Sequence, residues 1–461
     1  MFVVVRCCLF PPAVRRSVLP MSANAHGSQS HHFHCRPLTL FALGNSSSRK
    51  RRQKAEHSAG GDDRSSPQSL TECSSAMGVE LPPTITERLS TLKKDVIDAL
   101  LDKNAVPPEL ITSLMAGVGG SAFSKALELV PSYNQNLQKM AKYYFTAKGG
   151  KLIRPTVSLL MSAACNQCAK RPTTPADTAP GRTPTSIVNE SEEQPIEISM
   201  NQYRIAMVAE MIHNATLVHD DVIDESNTRR GQPTANARWG NKQAVLVGDF
   251  ILARATKVLC SIGEPPVIET MAEIVEDLVK GELLQLNGPS TSTGNARFNH
   301  YMVKTFYKTG SLFANSCRSV AMLSENCNGL LLELTTEFGR NLGLAFQLVD
   351  DILDYCATEE AMGKPTATDL RLGLATCPVL FAAEEFPDAL NPMIERRFSA
   401  DGDVQRALEL VQRSDGLTQS RRLAKEQGEK AIQCAEQLLP EGGLVRDCLV
   451  DIVQRQLARE R

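Results

Sequence analysis

The sequence contains no apolar run long enough to cross a membrane. A spanning helix needs roughly 18 to 20 predominantly apolar residues. Arg6 already interrupts the apolar start of the chain, and no later run approaches that length. We therefore expect a protein without a membrane-spanning segment.

The sequence also lacks an excess of either charge. Its 50 Lys and Arg residues nearly balance 52 Asp and Glu residues, which gives a formal net charge of −2. A protein that binds nucleic acid through general basicity needs a positive excess. We expect no nucleic-acid partner.

The cysteines lack the pattern of a disulfide-stapled protein, because their number, 13, is odd and their spacings are irregular. Cys165 and Cys168 form a single CxxC pair without the further ligands that a four-coordinate structural zinc site needs. The sequence predicts free, ordinary buried thiols in a reducing compartment.

The charge composition differs sharply between the amino-terminal tail and the rest of the chain. Residues 1–55 contain nine Lys and Arg residues and no acidic residue. With little apolar periodicity, this part cannot bury enough surface to fold. Its composition is typical of an organellar transit peptide, although a plain disordered tail or a nuclear signal at Arg49–Lys54 also fits it. We predict that residues 1–83 are a disordered tail with a mitochondrial transit peptide, and that the protein works in the mitochondrial matrix.

Apolar residues recur at three- and four-residue steps along most of the remaining chain, which predicts an all-α fold. The first helix is expected to begin near Thr84, where Thr84 and Glu87 have capping-box spacing. Residues 171–195 contain five prolines among many Ser and Thr residues, and predict a disordered insertion. We expect one domain, residues 84–461. Further helices are predicted at Ile198–Asp224, Lys242–Cys260, Val267–Leu286, Leu330–Tyr355 and Leu417–Leu439.

Two aspartate clusters of identical spacing are the main chemical signal. Each directs three mutually repelling carboxylates to the carboxyl end of an apolar helix, where the helix dipole also disfavours negative charge. A compensating cation resolves this conflict, and Mg²⁺ suits carboxylate oxygens. One cluster alone is equally consistent with a solvated acidic face, but the repetition favours a metal site. The clusters are Asp220-Asp221-Val222-Ile223-Asp224 and Asp350-Asp351-Ile352-Leu353-Asp354.

Basic residues suited to a diphosphate group surround the clusters in sequence. Lys151 and Arg154 stand one turn apart at a predicted helix start, where backbone amides also favour anions. Taken singly, each of these basic residues is more often a surface cation than a ligand. The others are Arg229, Arg230, Lys308 and Lys364.

Two histidines precede the first cluster. His213 lies seven residues before Asp220 and eleven before Asp224, close to whole numbers of helical turns, so it shares their face. This placement favours contact with substrate. His219 is rotated by about 100° from Asp220 and is interpreted as a core or interface histidine.

Together these motifs resemble the trans-isoprenyl diphosphate synthase family, over roughly Thr84–Arg461. Within the family, the similarity is greatest to the long-chain, decaprenyl- and solanesyl-type mitochondrial enzymes and their catalytic subunit 1. The tail and the insertion lie outside the similarity. The matching motifs are Gly149–Pro155, Glu210–Asp221, Gly281-Glu282 with Gln285, Lys308-Thr309, Phe346-Gln347, and Gly363–Pro365 with Asp369.

The resemblance implies an isoprenoid-synthase-type bundle of ten or so helices or more around a central deep cavity. It implies a prenyltransferase that condenses an allylic diphosphate, farnesyl or geranylgeranyl diphosphate, with successive isopentenyl diphosphates to make the ubiquinone side-chain precursor. Ionisation, condensation and elimination would be assisted by about two or three Mg²⁺ ions per active site. A homodimer or a hetero-oligomer with a second synthase subunit is implied, with peripheral membrane contact for product release.

The resemblance also implies a role for each matching residue. The metal ligands would be Asp220, Asp224 and Asp350, assisted by Asp221, Asp351 and Asp354. The catalytic set would comprise these six aspartates with Lys308 and Gln347. The allylic diphosphate would contact Arg229, Lys308, Thr309, Gln347 and Lys364. Isopentenyl diphosphate would contact Lys151, Arg154, His213 and Arg230.

Product length is expected to depend on Ala215 and Thr216, the residues five and four before Asp220. Small side chains there imply a deep pocket and a long product in this family, although they also simply allow close helix packing. A farnesyl or geranylgeranyl diphosphate synthase is the nearest alternative. A non-catalytic partner subunit would show eroded aspartate motifs, and a terpene cyclase a different second metal motif.

Overall fold

In the computed structural model of the chain, the described residues are 79–101, 135–146, 150–169, 197–229, 231–288, 294–325, 327–356 and 367–460. All of them belong to one unit, Pro67–Arg461. The predicted transit peptide, the insertion at residues 171–195, Arg230 and Lys364 lie outside the described residues.

Helices account for nearly all regular structure of the described residues, so the predicted all-α fold is confirmed. A five-residue π-helical turn, Phe306–Gly310, joins α8 to α9 without a break in the helical path. The α-helices are α1 Pro83–Leu100, α2 135–146, α3 Ile153–Ala169, α4 Met200–Ile223, α5 Ala235–Trp239, α6 Asn241–Cys260, α7 Pro265–Asn287, α8 Gly294–Thr305, α9 Ser311–Met322, α10 Gly329–Cys356, α11 Thr368–Arg371, α12 Cys377–Glu385, α13 Pro387–Glu395, α14 Asp403–Arg413, α15 Gly416–Leu438 and α16 Leu444–Leu457.

The apolar periodicity located the long helices to within two residues at each end, but the predicted start signal of α1 was wrong. The Thr84–Glu87 capping box does not form: Pro82 occupies the N-cap position of α1 without a side-chain cap, and Pro83 begins the helix. Proline suits this position because the first amide groups of a helix have no intrahelical partner. A complete capping box is found at Ser199 and Gln202, where α4 begins.

One short β-ribbon follows the first aspartate cluster. Strand β1, Thr228–Arg229, pairs antiparallel with β2, Gln232–Pro233. Gly231 between them has a φ of 72°, a left-handed conformation that glycine adopts without strain. The ribbon folds Arg229 back toward α4.

The long helices α4 and α10 form the centre of the bundle. Helix α4 packs mainly on α6 and α3, whereas α10 packs mainly on α15 and α9. The amino-terminal part of α10 belongs to one apolar cluster, through Phe338 and Leu342, and its carboxyl-terminal part to a second, through Leu348 and Ile352. Both aspartate-bearing helices are therefore fixed along their length by burial.

Glycines let the π-helical turn lie against its neighbours. A Cβ atom on Gly343 of α10 would stand 2.7 Å from the Gly310 Cα atom, and one on Gly281 of α7 would stand 2.7 Å from the Lys308 Cγ atom. Any larger side chain at either position would displace the turn. Sequence positions 308 and 309 are thereby held between α7 and α10.

No described helix combines the length and hydrophobicity needed to cross a bilayer. The cysteines of the described residues are free thiols, as expected. Cys165 is buried, but three others are exposed, namely Cys260, Cys327 and Cys356.

Candidate active site

The first aspartate cluster ends α4, and its middle carboxylate is tied into the protein. Asp221 is buried, and its two oxygens accept hydrogen bonds from Arg229 Nε and Nη2 at 2.8 to 3.1 Å and from the Tyr144 hydroxyl at 3.0 Å. The Tyr144 oxygen in turn accepts a bond from the Ala235 amide at 3.1 Å. Asp221 therefore anchors Arg229 beside the cluster.

The first and last carboxylates of the same cluster, Asp220 and Asp224, have raised pKa values. Burial raises the pKa of Asp220 from 3.8 to about 6, against the opposing effect of Lys308. Burial also raises the pKa of Asp224, which Lys308 and Arg229 oppose. The two cations therefore do not fully offset the effect of burial on these two carboxylates.

In the second cluster, on the last turns of α10, two of the three carboxylates accept hydrogen bonds from the protein. Asp351 is buried and accepts hydrogen bonds from the Tyr301 hydroxyl at 2.7 Å and from Gln347 Nε2 at 2.8 Å. Asp354 accepts the backbone amides of Thr368 and Asp369, one on each oxygen and both at 3.0 Å. Asp354 thus stabilises the start of α11, and Asp351 fixes Gln347.

Asp350 is the member of the second cluster that faces the basic residues. Arg459 Nη1 donates to its Oδ1 at 2.7 Å. Burial raises the pKa of Asp350, while Arg459, Arg154 and Lys151 act in the opposite direction.

A partly buried group of charges adjoins the second cluster. Burial raises the pKa of Asp351 to about 6 and that of Asp369 well above its usual range. Burial lowers the pKa of Lys304, which neighbouring Asp351 and Asp369 partly restore. Lys304 is the nearby cation that offsets these two acids.

The π-helical turn links the two clusters through adjacent residues. Lys308 Nζ donates to Glu282 Oε2 at 2.5 Å and lies close enough to Asp220 to lower its pKa. The Thr309 hydroxyl donates to Gln347 Oε1 at 2.8 Å, and Gln347 holds Asp351. Consecutive side chains of this turn thus reach both clusters, in agreement with the frequent occurrence of π-turns at functional sites.

A basic pocket lies on the α3 side of the clusters. Arg154 Nη1 is 3.2 Å from His213 Nε2, and its guanidinium lies over the rings of Phe313 and Phe346, at 5.1 and 5.9 Å from their centroids. An adjoining cavity of about 320 Å³ is lined by residues that include Lys151 and Phe346. The structure therefore brings Lys151, Arg154 and His213 together.

The remaining predicted residues have clear places on α4. Ala215 is fully buried, and the half-buried Thr216 donates its hydroxyl to the His213 carbonyl at 2.8 Å. His219 packs on α6, with Nε2 at 3.2 Å from the Val245 carbonyl, and any side chain on Gly248 would collide with its ring. The interpretation of His219 as an interface histidine agrees with this packing.

Several residues at the site were missed by sequence reasoning. Tyr144 and Tyr301 hold cluster aspartates although they lie far from them in sequence, at separations of 77 and 50 residues. Arg459 reaches Asp350 across 109 residues. A lone Tyr or Arg carries no motif, so only the fold assigns these partners.

The donor set fits a hard divalent cation. Among the described residues, no three His, Cys, Asp or Glu side chains come together closely enough to hold a metal ion by themselves. Mg²⁺ usually takes only one or two carboxylates and completes its ligands with waters and substrate phosphates. Asp220, Asp224 and Asp350 offer the carboxylate oxygens that such an ion prefers as ligands.

Comparison with known proteins supports the family. The family model described as polyprenyl synthetase matches residues 134–411. The all trans-polyprenyl-diphosphate synthase PDSS1 of Mus musculus is 44% identical over 328 residues, which cover 71% of this chain and 73% of the mouse protein. The decaprenyl-diphosphate synthase subunit 1 of Schizosaccharomyces pombe is 38% identical over 311 residues, covering 66% and 80%. The mitochondrial solanesyl-diphosphate synthase 1 of Oryza sativa is 38% identical over 362 residues, covering 77% and 79%.

Solved structures share the fold. A decaprenyl diphosphate synthase from Rhodobacter capsulatus superposes with a TM-score of 0.61 at 24% identity, covering 85% of this chain and 99% of the other. A polyprenyl synthase from Caulobacter crescentus, complexed with calcium and isoprenyl diphosphate, gives a TM-score of 0.60 at 26% identity, covering 86% and 98%.

The helical bundle, the paired aspartate clusters and these similarities place the chain in the polyprenyl synthetase family. Its members are metal-assisted diphosphate synthases, as the calcium complex illustrates. Within the family, the chain is a prenyltransferase, a long-chain all-trans polyprenyl diphosphate synthase.

Proposed function

We propose that this prenyltransferase extends an allylic diphosphate by successive additions of isopentenyl diphosphate and supplies the side-chain precursor of ubiquinone. The observation that carries the proposal is the π-helical turn, which brings Lys308 to the first aspartate cluster and Thr309 to the second cluster through Gln347. This arrangement suits a reaction in which one diphosphate must be held, and its charge stabilised, between two acidic helices.

We assign Mg²⁺ binding primarily to Asp220, Asp224 and Asp350. When bound, Mg²⁺ would stabilise the negative charge that develops on the departing diphosphate. Asp221 and Asp354 were predicted as further ligands. Their protein hydrogen bonds favour a positioning role, in which they fix Arg229 and the start of α11.

The allylic diphosphate is assigned to Arg229, Lys308, Thr309 and Lys364. Arg229 is held by Asp221, and Lys308 by Glu282, so both cations are oriented before substrate arrives. Such preorganised cations are effective because they need no reorientation when the allylic C–O bond breaks. Gln347 links Thr309 to Asp351 and so fixes the position of the Thr309 hydroxyl near the second cluster.

Isopentenyl diphosphate is assigned to Lys151, Arg154, His213 and Arg230. Arg154 is kept in place by two aromatic rings and His213, which is consistent with a fixed binding site for a diphosphate. The isopentenyl double bond attacks the allylic carbocation, and the resulting cation then loses a proton to the departed diphosphate. No side chain is assigned as a dedicated base.

A long product is consistent with Ala215 and Thr216. Both side chains are small; Ala215 is fully buried and Thr216 half-buried, about one turn before the first cluster. All six aspartates are present, which favours catalysis.

We further propose a mitochondrial matrix location, with residues 1–83 acting as the tail that carries the transit peptide and residues 84–461 as the synthase domain. Relatives named as mitochondrial support this location. The name of the fission yeast relative, subunit 1, supports a hetero-oligomer with a second synthase subunit, with a homodimer as the alternative. Product release at a membrane surface would require peripheral contact.

Product analysis tests the proposal. The full-length chain, alone and with a second synthase subunit, would be incubated with Mg²⁺, farnesyl diphosphate and labelled isopentenyl diphosphate, and the products sized. We expect all-trans chains longer than geranylgeranyl diphosphate. Absence of incorporation under both conditions would refute catalysis, and a C15 or C20 product would refute the long-chain assignment. A fusion of residues 1–55 to a fluorescent protein should enter mitochondria, and a diffuse cytosolic signal would refute the targeting.

A further inference from the structure

Two adjacent tyrosines at the carboxyl end of α2 contact the segment around the β-ribbon. The Tyr143 hydroxyl donates to the Pro233 carbonyl of β2 at 2.8 Å. The buried Tyr144 donates its hydroxyl to Asp221 Oδ2 at 3.0 Å and accepts the Ala235 amide at 3.1 Å. Tyr144 therefore joins Asp221, which precedes the ribbon, to Ala235, which follows it, whereas the Tyr143 hydroxyl bonds to the ribbon itself.

The Asp221 carboxylate has two side-chain partners in the described part of the chain. One is Arg229, which donates from Nε and Nη2 at 2.8 to 3.1 Å. The long Arg229 side chain is 31% exposed, so burial alone does not fix it. The other partner is Tyr144, which is buried and whose hydroxyl is also tied to a backbone amide. Tyr144 is therefore the fixed partner that orients Asp221 and, through Asp221, the guanidinium of Arg229.

The fold of this segment does not depend on the Tyr144 hydroxyl. The Asn236 side chain donates to the carbonyl oxygens of Asp221 and Ser226, at 3.1 and 2.9 Å. The Thr234 hydroxyl donates to the same Ser226 carbonyl at 2.7 Å. These bonds close the base of the loop between α4 and α5 without any contribution from α2. Replacing Tyr144 by phenylalanine should therefore remove the two bonds of its hydroxyl and leave the loop closed.

We propose that Tyr144 is a positioning residue for the allylic substrate, acting through Asp221 on Arg229. The proposal rests on the proposed function, which assigns the allylic diphosphate to Arg229, and it deepens that assignment by naming the residue that sets the direction of the guanidinium. A guanidinium binds a diphosphate through parallel N–H donors, so a rotated guanidinium loses both directional bonds together. Tyr144 itself stays with its two protein partners and does not touch the substrate.

Steady-state kinetics of Tyr144→Phe with both substrates tests this role. A misdirected guanidinium should lower kcat/KM for the allylic substrate about 10- to 30-fold, while the KM for isopentenyl diphosphate stays within about twofold. The matched control is Tyr143→Phe, which loses the neighbouring hydroxyl bond to the ribbon but leaves the partners of Asp221 in place. It should behave as wild type with both substrates. An unchanged Tyr144→Phe enzyme, or an equal loss in Tyr143→Phe, would overturn the proposal.

A double-mutant cycle separates positioning from packing. Arg229→Gln alone should lower kcat/KM for the allylic substrate by more than Tyr144→Phe does. Adding Tyr144→Phe to Arg229→Gln should then lower it no further, because both changes act through the same guanidinium. Losses that multiply in the double variant would overturn the proposal in favour of a packing role for Tyr144.

Binding measured without turnover distinguishes this proposal from the function on which it rests. Calorimetric titration with farnesyl diphosphate and Mg²⁺, without isopentenyl diphosphate, should show a Kd about 5- to 20-fold higher for Tyr144→Phe than for the wild type. If Arg229→Gln binds farnesyl diphosphate weakly and Tyr144→Phe binds it as the wild type does, only the positioning role is refuted. If Arg229→Gln binds and uses it as the wild type does, the assignment of Arg229 is refuted, and the role of Tyr144 with it.

Discussion

Because burial disfavours the ionised form of Asp220, we predict that Asp220→Asn inactivates the protein and yet stabilises it when no metal is bound. Burial raises the pKa of this carboxyl from 3.8 to about 6. A shift of about 2 units at 1.36 kcal/mol per unit corresponds to about 3 kcal/mol of unfavourable free energy for the ionised form. Asparagine keeps the shape and removes the charge, so we expect a gain of about 1 to 3 kcal/mol in unfolding free energy at pH 7.

The direction in which stability changes with pH shows whether the ionised Asp220 carboxylate is the cause of the stability difference. The folded protein binds the Asp220 proton more tightly than the unfolded chain does, so the wild type gains stability from this group as the pH falls from 7 through 6 toward 3.8. About 1.4 kcal/mol of the total should be recovered by pH 5. The stability advantage of Asp220→Asn should therefore shrink by about that amount between pH 7 and pH 5.

Thermal and urea unfolding in a chelating buffer measure this difference. The matched control is Asp451→Asn, which removes a partly exposed carboxylate that pairs with Arg455 on α16. Adding Mg²⁺ with inorganic diphosphate should raise the melting temperature of the wild type more than that of Asp220→Asn, since ligands stabilise only the state that binds them. A metal-free Asp220→Asn protein that is less stable than the wild type at pH 7, or an advantage that does not change with pH, would refute the reasoning.

Three further substitutions have defined outcomes. Ala215→Phe should shorten the product, and chromatography showing an unchanged chain length would mean that Ala215 does not line the pocket. Gly343→Ala places a Cβ atom 2.7 Å from the Gly310 Cα atom; it should cost about 1 to 3 kcal/mol in urea unfolding and lower kcat, and a neutral result would show that the π-helical turn adjusts freely. Tyr301→Phe removes the 2.7 Å hydrogen bond to the buried Asp351 and should cost about 1 to 3 kcal/mol, whereas an equally stable variant would show that Gln347 alone satisfies Asp351.

The sequence predicted the helices well because a helix with one buried face has apolar residues at three- and four-residue spacing. Helix α10 was expected at Leu330–Tyr355 and spans Gly329–Cys356. Helix α4 was expected at Ile198–Asp224 and spans Met200–Ile223. The start of α1 was misjudged because proline and a Thr-x-x-Glu spacing compete as start signals, and only packing decides between them.

The candidate site was predictable in composition but not in the assignment of partners. Lys151, Arg154 and His213 were expected to act together; the structure places Arg154 beside His213, and Lys151 lines a cavity that shares Phe346 with Arg154. The π-helical turn at Phe306–Gly310 leaves no recognisable pattern in five residues, yet it decides where Lys308 and Thr309 point. Long-range partners such as Arg459 follow from the fold alone.

The two clusters share a spacing but not a structure, and the difference indicates which aspartates remain for the reaction. Asp221 is satisfied by Arg229 and Tyr144, Asp351 by Tyr301 and Gln347, and Asp354 by two backbone amides. Buried carboxylates this close to one another are tolerated only where each is paired or hydrogen-bonded. The satisfied members therefore hold the site in shape. Asp220, Asp224 and Asp350 are the remaining members, and burial raises the pKa of each, so a bound cation would stabilise their ionised forms.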